Sequence, residues 1–208
     1  MSVTDAIVYI VDDDPSVRKA TRRLLRSAGY HAIEFETAED FLSHRRANRP
    51  SCLILDLQMP GLSGVELQQQ LEARHEDLPI IFMTGHGDIP TSVDAMKHGA
   101  VDFLPKPVDD EKLLETVRLA VEQHARTRHQ SAELAMFRGR AGELTARERE
   151  VMLYVITGMM NKQIAQNMGI TETTVKVHRG RMMDKTGVAS VAELVLLCER
   201  AGITASTN

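Results

Sequence analysis

The stretch VYIVDDDPSVRKA, residues 8–20, decides how this sequence folds. It opens with four apolar or aromatic residues, continues with the carboxylates Asp12, Asp13 and Asp14, and takes on a helical pattern after Pro15. A short apolar run that stops at a turn signal is typical of a strand buried on both faces. Open α/β sheets bind their ligands beyond the carboxyl ends of such strands. Because crowded like charges are costly without a cation, these acids predict a divalent metal site.

The same alternation of strand and helix continues through the first 123 residues. Strands alternating with helices indicate parallel strands joined by right-handed crossovers, and therefore a doubly wound sheet. Gly29 and Gly99 occupy positions where helices end. The predicted strands are 7–11, 32–35, 52–56, 80–84 and 101–104, and the predicted helices are 16–28, 37–46, 63–74, 89–98 and 109–123.

Composition indicates an ordinary globular protein. The chain has 208 residues, of which 43% are hydrophobic and 26% charged, enough for one large or two modest domains. We find neither a signal-peptide pattern nor an apolar run near the roughly 18 residues of a membrane helix, and we expect a cytoplasmic protein without membrane contact. Cys52 and Cys198 are predicted to be reduced core residues.

Charge is distributed unevenly between the two parts of the chain. Residues 1–124 carry 13 Lys and Arg against 21 Asp and Glu, which gives −8, whereas residues 125–208 carry 12 against 8, which gives +4. A basic C-terminal part suggests that only this part meets a polyanion. An uneven surface charge without functional meaning is the alternative.

Four predicted strand ends carry polar groups, namely Asp12 with Asp13, Asp56, Thr84 and Lys106. In a parallel sheet these ends meet at one edge. Each group is commonplace alone, but together and in this order they resemble the receiver domain of two-component response regulators, over about residues 5–123. The resemblance implies a flavodoxin-like fold with five parallel strands.

The resemblance also implies a chemistry for the acidic residues. Asp56 would be the phosphoacceptor, with Mg²⁺ or Mn²⁺ as cofactor. Asp13 and Asp56 would bind the metal directly, the backbone carbonyl of Gln58 would add a ligand, and Asp12 would help through water. Oxygen ligands of this kind suit Mg²⁺. Asp14 is predicted instead to cap the helix that follows it.

The remaining pocket residues would bind the phosphoryl group and transmit its arrival. Lys106 would pair with phosphoryl oxygens, and Thr84 would donate its hydroxyl to another. Thr84 and Phe103 would form the switch, in which the aromatic ring turns inward as the threonine moves. A cis bond is expected between Lys106 and Pro107, since X–Pro is where cis is cheap.

A polar segment, residues 124–142, separates this domain from the C-terminal part. It is predicted to be a helical extension that frays into a linker near Gly139 and Gly142. Leu134 and Phe137 could pack on a neighbouring part of the protein, or the segment could be an exposed spacer.

The C-terminal part contains start and stop signals for four short helices. Predicted helix starts are the capping boxes Thr145–Glu148 and Ser190–Glu193 together with caps at Asn161 and Thr171, and predicted ends are Gly158, Gly169 and Gly187. A helix, a tight turn at Gly169 and a second helix form a helix-turn-helix.

The second of these helices has two different faces. Apolar spacing places Val175, His178, Met182 and Thr186 toward the core. The opposite side, here called the recognition face, consists of Thr173, Lys176, Val177, Gly180 and Arg181. Lysine and arginine can reach guanine edges in a major groove, and valine can contact a thymine methyl. Predicted phosphate contacts are Lys162, Thr174, Arg179 and Lys185.

Residues 142–204 resemble the LuxR-type helix-turn-helix, through LTAREREV, NKQIAQNMGIT and TTVKVHRGRMMDKTGV. Together with the receiver-like part, the chain resembles response regulators of the FixJ/NarL family, close to the FixJ and StyR branch. The predicted domains are a receiver at 1–123, a linker at 124–142 and an all-α four-helix DNA-binding domain at 143–208. Relatives dimerise through their last helix, here with Leu194, Val195, Leu197 and Cys198, although these residues could equally be core.

The resemblance implies a transcription factor activated by phosphorylation. A sensor histidine kinase would phosphorylate it, after which it would form a homodimer, bind promoter DNA and meet RNA polymerase. It would not be an enzyme beyond its own phosphorylation and dephosphorylation. One alternative is an aspartyl-nucleophile phosphatase, whose second acid would stand where this chain has Gln58, and another is a regulator that works without phosphorylation.

Overall fold

A computed structural model describes residues 5–85 and 99–205 of the protein. The chain divides between Arg128 and His129 into two compact units. Among the described residues, no helix combines the length and the apolar character that crossing a membrane demands.

The first unit contains a sheet of five parallel strands in the order β2-β1-β3-β4-β5. The predicted doubly wound sheet is therefore confirmed. β1 and β4 have the predicted limits, whereas β5 begins and ends one residue later than predicted. The strands are β1 (Ile7–Val11), β2 (His31–Phe35), β3 (Ser51–Asp56), β4 (Ile80–Thr84) and β5 (Asp102–Pro105).

The helices of this unit begin at clear sequence signals. Asp14 is the N-cap of α1 and accepts a hydrogen bond from the Ser16 amide at 2.7 Å, as predicted. Ser63 and Glu66 form a capping box at α3. The helix predicted at 89–98 lies outside the described residues. The helices are α1 (Pro15–Ser27), α2 (Ala38–Ser43), α3 (Gly64–Ala73) and α4 (Asp110–Gly142), the last of which continues into the second unit.

Alternate residues of the central strands feed two cores. Tyr9, Leu55 and Phe82 pack on one face of the sheet with residues of α2 and α3. Ile10 and Cys52 pack on the other face, with residues of α1 and the first turns of α4. Strands covered on both faces explain why the sequence shows continuous apolar runs rather than alternation.

Helix α4 includes the helical extension that was predicted after residue 123. It continues through Gly139 to Gly142, so the predicted fraying near these glycines is wrong. Phe137 and Ala141 are buried in the core of the second unit, which provides tertiary packing that outweighs the low helix propensity of glycine. The exposed-spacer alternative therefore fails for these residues. The domain limits 1–123, 124–142 and 143–208 stay predictions.

The second unit contains the four short helices that were predicted. They surround one core to which every helix contributes, and Cys198, like Cys52, is a buried free cysteine. Leu194, Leu197 and Cys198 belong to this core, so within the module they are packing residues. The helices are α5 (Ala146–Ile156), α6 (Asn161–Met168), α7 (Glu172–Thr186) and α8 (Val191–Ala201).

The predicted caps of these helices are partly correct. The Thr145–Glu148 capping box and the Thr171 cap are present. The Asn161 cap is wrong, because Met160 is the N-cap and its amide donates to the Gln163 side chain at 2.8 Å. Ser190 caps the Glu193 amide, but the Glu193 carboxylate accepts from Ala189 instead of completing the box.

Gly64, the first residue of α3, lies against the end of β3. A Cβ atom on Gly64 would be 2.3 Å from the backbone oxygen of Asp56. We expect Gly64→Ala to destabilise the protein by about 1–3 kcal/mol through overpacking, measured by urea unfolding of the full chain. Gly139→Ala is the control, since open space surrounds Gly139. Equal stability of the two variants would contradict the predicted clash.

Candidate functional site

Four side chains converge at the carboxyl ends of β1, β3 and β5. One oxygen from each of Asp12, Asp13 and Asp56 lies within 4.8 Å of the others. The Lys106 ammonium donates to Asp12 Oδ2 at 2.7 Å and to Asp56 Oδ2 at 2.9 Å. Strands far apart in sequence thus deliver the acidic residues and the lysine that the sequence analysis selected.

Because Asp12 and Lys106 are largely buried, the pKa of each depends on the charge of the other. The Asp12 side chain is 0% exposed and that of Lys106 is 20% exposed. Burial raises the pKa of Asp12, although the hydrogen bond from Lys106 opposes the rise. Burial alone would lower the pKa of Lys106, but hydrogen bonds to Asp12 and Asp56 and their charges outweigh it, so this pKa is raised. The ammonium therefore stays charged and neutralises part of the acidic cluster.

The predicted switch residues lie on β4 and β5, whose ends adjoin this cluster. Thr84 ends β4 and is buried, and its backbone oxygen accepts from the Lys106 amide at 2.6 Å. Phe103 is half-buried, with its ring centroid 5.8 Å from that of Phe82. The Lys106–Pro107 bond is cis, as predicted. Gln58 is exposed, and its backbone N–H donates a hydrogen bond to Asp56 Oδ1 at 3.4 Å.

Arg18 supports the cluster from α1, and the sequence analysis missed it. Its Nη1 donates to the backbone oxygen of Asp12 at 2.6 Å, and its Nη2 lies 3.5 Å from Glu36. This contact orients the turn that follows β1. The only sequence signal was a cation one helical turn after the acidic run.

In the second unit, α6 and α7 form a helix-turn-helix around Gly169, which has the left-handed φ of 65°. Val175, Met182 and Thr186 are buried and His178 is half-buried, as the predicted core face requires. All five residues of the recognition face are exposed: Thr173, Lys176, Val177, Gly180 and Arg181.

Known proteins match both units. The model of the response regulator receiver domain matches residues 8–118, and that of the bacterial regulatory proteins of the LuxR family matches residues 142–198. The chain belongs to the two-component transcriptional response regulators. Its two domains imply a histidine kinase as partner and DNA as ligand.

Relatives match nearly the whole response regulator. Nodulation protein W of Bradyrhizobium diazoefficiens is 43% identical over 203 residues, which are 98% of this chain and 89% of that protein. The regulatory protein FixJ of the same organism is 39% identical over 96% of this chain and 98% of its own. A solved structure of the response regulator StyR is 47% identical, with a TM-score of 0.82 over 94% of this chain and 99% of its own. The predicted family is thereby confirmed.

Some of the predicted phosphate-contacting residues already have partners within the response regulator. Arg179 donates to Asn161 Oδ1 at 2.9 Å and ties α7 to α6. Lys185 lies 2.6 Å from Glu148 and ties α7 to α5. Thr174 shares a hydroxyl hydrogen bond with Thr171 at 2.8 Å, whereas Lys162 is exposed. Their phosphate contacts stay predictions, and Arg179 and Lys185 also hold α7 in place.

Removing the central ammonium should expose the repulsion within the acidic cluster. We expect Lys106→Met to destabilise the protein by about 2–3 kcal/mol, because Asp12 and Asp56 lose their shared partner and the pair is only partly exposed. The cost should be smaller in an Asp56→Asn background. Urea unfolding of wild type, Lys106→Met, Asp56→Asn and the double variant measures this coupling. Lys112→Met, at an exposed ion pair, is the control. Strictly additive effects would show that the contacts do not couple.

The Glu148–Lys185 pair should make the second unit sensitive to acid. The hydrogen bond from Lys185 lowers the pKa of Glu148 from 4.5 to about 2. A carboxylate with a lowered pKa stabilises the fold above the unfolded-state pKa, and this contribution is lost as pH falls from about 4.5 toward 2. We expect the stability difference between wild type and Glu148→Gln to shrink over that window.

Glutamine can still complete the capping box with Thr145, so the Glu148→Gln variant isolates the ion pair. Hydrogen exchange of α5 and α7 in the full chain provides the measurement. Glu199→Gln, at an exposed position of the same unit, is the control. A pH-independent difference between wild type and Glu148→Gln would contradict the lowered pKa.

Proposed function

We propose that this response regulator accepts a phosphoryl group from a sensor histidine kinase on Asp56, then forms a homodimer and binds promoter DNA. The observation that carries the proposal is the Lys106 ammonium held between Asp12 and Asp56, with Asp13 beside them. Asp56 would be the nucleophile: it contacts the Lys106 ammonium as Asp12 does, but its side chain is 9% exposed, whereas that of Asp12 is 0% exposed and closed to an incoming phosphoryl group.

The charge of the cluster explains the need for a divalent ion. Three carboxylates and one ammonium leave a net charge of about −2 when all are ionised, and a phosphoryl group adds about −1.5 to −2 more. Asp12, Asp13, Asp56 and the Gln58 backbone carbonyl would hold Mg²⁺ or Mn²⁺, and their oxygen chemistry suits such an ion. Bound Mg²⁺ would supply neutralisation of the phosphoryl charge.

Lys106 and Thr84 would hold the phosphoryl oxygens once Asp56 is modified. Lys106 can leave its bond with Asp56 Oδ2 for a phosphoryl oxygen without losing its bond with Asp12. Movement of the Thr84 hydroxyl toward the new group would vacate space for Phe103, which is half-buried and therefore able to turn inward. Such a ring movement would change the surface around β5 and favour a second copy of the chain.

The DNA-binding part supports the second half of the proposal. The recognition face carries exposed cations that no core packing requires, and Lys162 can add a phosphate contact. On α8, Val195 and Leu196 are 37% and 53% exposed and offer an apolar surface for pairing on DNA. A dimer would place its recognition helices about 34–36 Å apart on an inverted repeat. We further propose a cytoplasmic regulator that meets RNA polymerase and has no other enzymatic activity.

Phosphorylation should require Asp56 and a divalent metal. With acetyl phosphate and Mg²⁺, we expect a retarded band for wild type on a phosphate-affinity gel and none for Asp56→Asn, which lacks the nucleophilic oxygen. EDTA should abolish the wild-type band. Asp14→Asn is the matched control, because asparagine also caps a helix and Asp14 is exposed.

A retarded band in Asp56→Asn as strong as in wild type would remove Asp56 from its role. The same samples then test the rest of the proposal by sedimentation and by binding to DNA selected from a random pool. Phosphorylated wild type should dimerise and bind about tenfold more tightly than Asp56→Asn, and binding should weaken steeply with salt.

A further inference from the structure

Gly180 stands in the middle of α7, where nothing inside the protein calls for glycine. The φ angle of Gly180 is not positive, whereas Gly169 and Gly187 at the helix ends have φ angles of 65° and 73°. Apart from the adjacent residues and the backbone of α7 itself, none of the described residues has an atom within 4 Å of a Cβ atom built on Gly180. Alanine would therefore fit both the space and the backbone.

Glycine at this position weakens the helix. An exposed helical glycine is less favourable than alanine because it loses more backbone freedom on folding. Since neither packing nor conformation compensates within the protein, the benefit of a bare backbone has to come from a molecule that approaches the recognition face.

The residues around Gly180 indicate which part of that molecule comes close. Val177 is one turn earlier and is 47% exposed, which makes it a rare large apolar side chain on this surface. Lys176 and Arg181 lie next to these two positions on the helix surface, since residues three and four apart are neighbours. Because Gly180 has no side chain, the helix surface beside Val177 has a gap, here called the notch, and Lys176 and Arg181 are its neighbours on the helix.

We propose that Gly180 lets α7 approach the base edges of the major groove closely, and that Val177 and Gly180 together receive a thymine methyl group. This inference rests on the proposed DNA-reading role of α7. The C5-methyl of thymine is the apolar feature that the major groove displays, and it fits a notch that any side chain at position 180 would fill. Gly180 is thus a specificity-determining position through the absence of a side chain.

The test combines a protein change with a DNA change. Phosphorylated full-length protein is titrated, at fixed salt, against duplexes selected by wild type from a random pool, and against the same duplexes with deoxyuridine replacing one thymidine at a time. We expect wild type to lose about three- to tenfold in affinity at one thymine per half-site. Gly180→Ala should bind the parent duplex about tenfold more weakly and show less than about a twofold further loss at that thymine.

Stability and a matched glycine complete the design. Hydrogen exchange in α7 should slow by about fivefold in Gly180→Ala, since alanine stabilises the helix. Gly139→Ala makes the same change at another exposed helical glycine, where an added Cβ atom likewise meets none of the described residues outside its own helix backbone, and it should leave DNA affinity unchanged. An improved helix with weakened DNA binding separates the proposed role from a folding defect.

Three results would overturn the inference. If Gly180→Ala bound DNA with the affinity and the thymine discrimination of wild type, the inference would be wrong, but the proposed DNA-binding function would stand. Faster exchange in α7 of that variant would show that glycine serves the fold. Failure of wild type itself to select any DNA sequence would remove the proposed function, and this inference with it.

Discussion

The contacts of the Lys106 ammonium with Asp12 and Asp56 are the interaction on which the first unit depends. The three residues are separated by 94 and 50 positions in sequence, so the contacts exist only when β1, β3 and β5 are correctly aligned in the sheet. A fully buried carboxylate such as Asp12 needs a partner, because an isolated charge away from water is very costly. The same need that favours the fold creates a cluster able to bind a cation and an added anion.

The second unit uses charge differently: an internal ion pair and a charged hydrogen bond hold α7 in place, and exposed cations lie on the recognition face. Glu148–Lys185 and Asn161–Arg179 hold α7 against its neighbours. Arg179 and Lys185 are engaged in these contacts, whereas Lys176 and Arg181 are exposed on the recognition face. A recognition helix held in this way can present its side chains with little loss of freedom on binding.

Sequence predicted the parts that depend on local pattern. β1 and β4 were located to the residue because each is a continuous apolar run with a polar residue at its carboxyl end, Asp12 directly after β1 and Thr84 as the last residue of β4. The cluster followed from which residues end the strands. The C-terminal end of α4 could not be predicted, because Gly139 and Gly142 locally resemble a linker, whereas the burial of Phe137 and Ala141 stabilises the helix there. Arg18 was missed since its contact is with a backbone oxygen, which leaves no compositional signal.

The Asn161 cap failed for a related reason. Asparagine has a higher intrinsic preference for the N-cap position than methionine. However, the Gln163 side chain accepts a hydrogen bond from the Met160 amide, and the Asn161 side chain accepts one from Arg179. Tertiary contacts reassigned a residue whose local signal was correct. Predictions from sequence are therefore weakest where a polar side chain has two possible partners.

Charge balance also limits how the proposed activation can work. Residues 1–124 already carry −8 against +4 for residues 125–208, and a phosphoryl group makes the first part more negative. Phosphorylation by itself therefore lowers the attraction of the whole chain for DNA, since like charges repel. An increase in DNA affinity can come from joining two basic modules, because the second module then binds at a high effective concentration. Electrostatics thus favours dimerisation as the source of the higher DNA affinity, with the anionic switch kept in one unit and the groove-reading cations in the other.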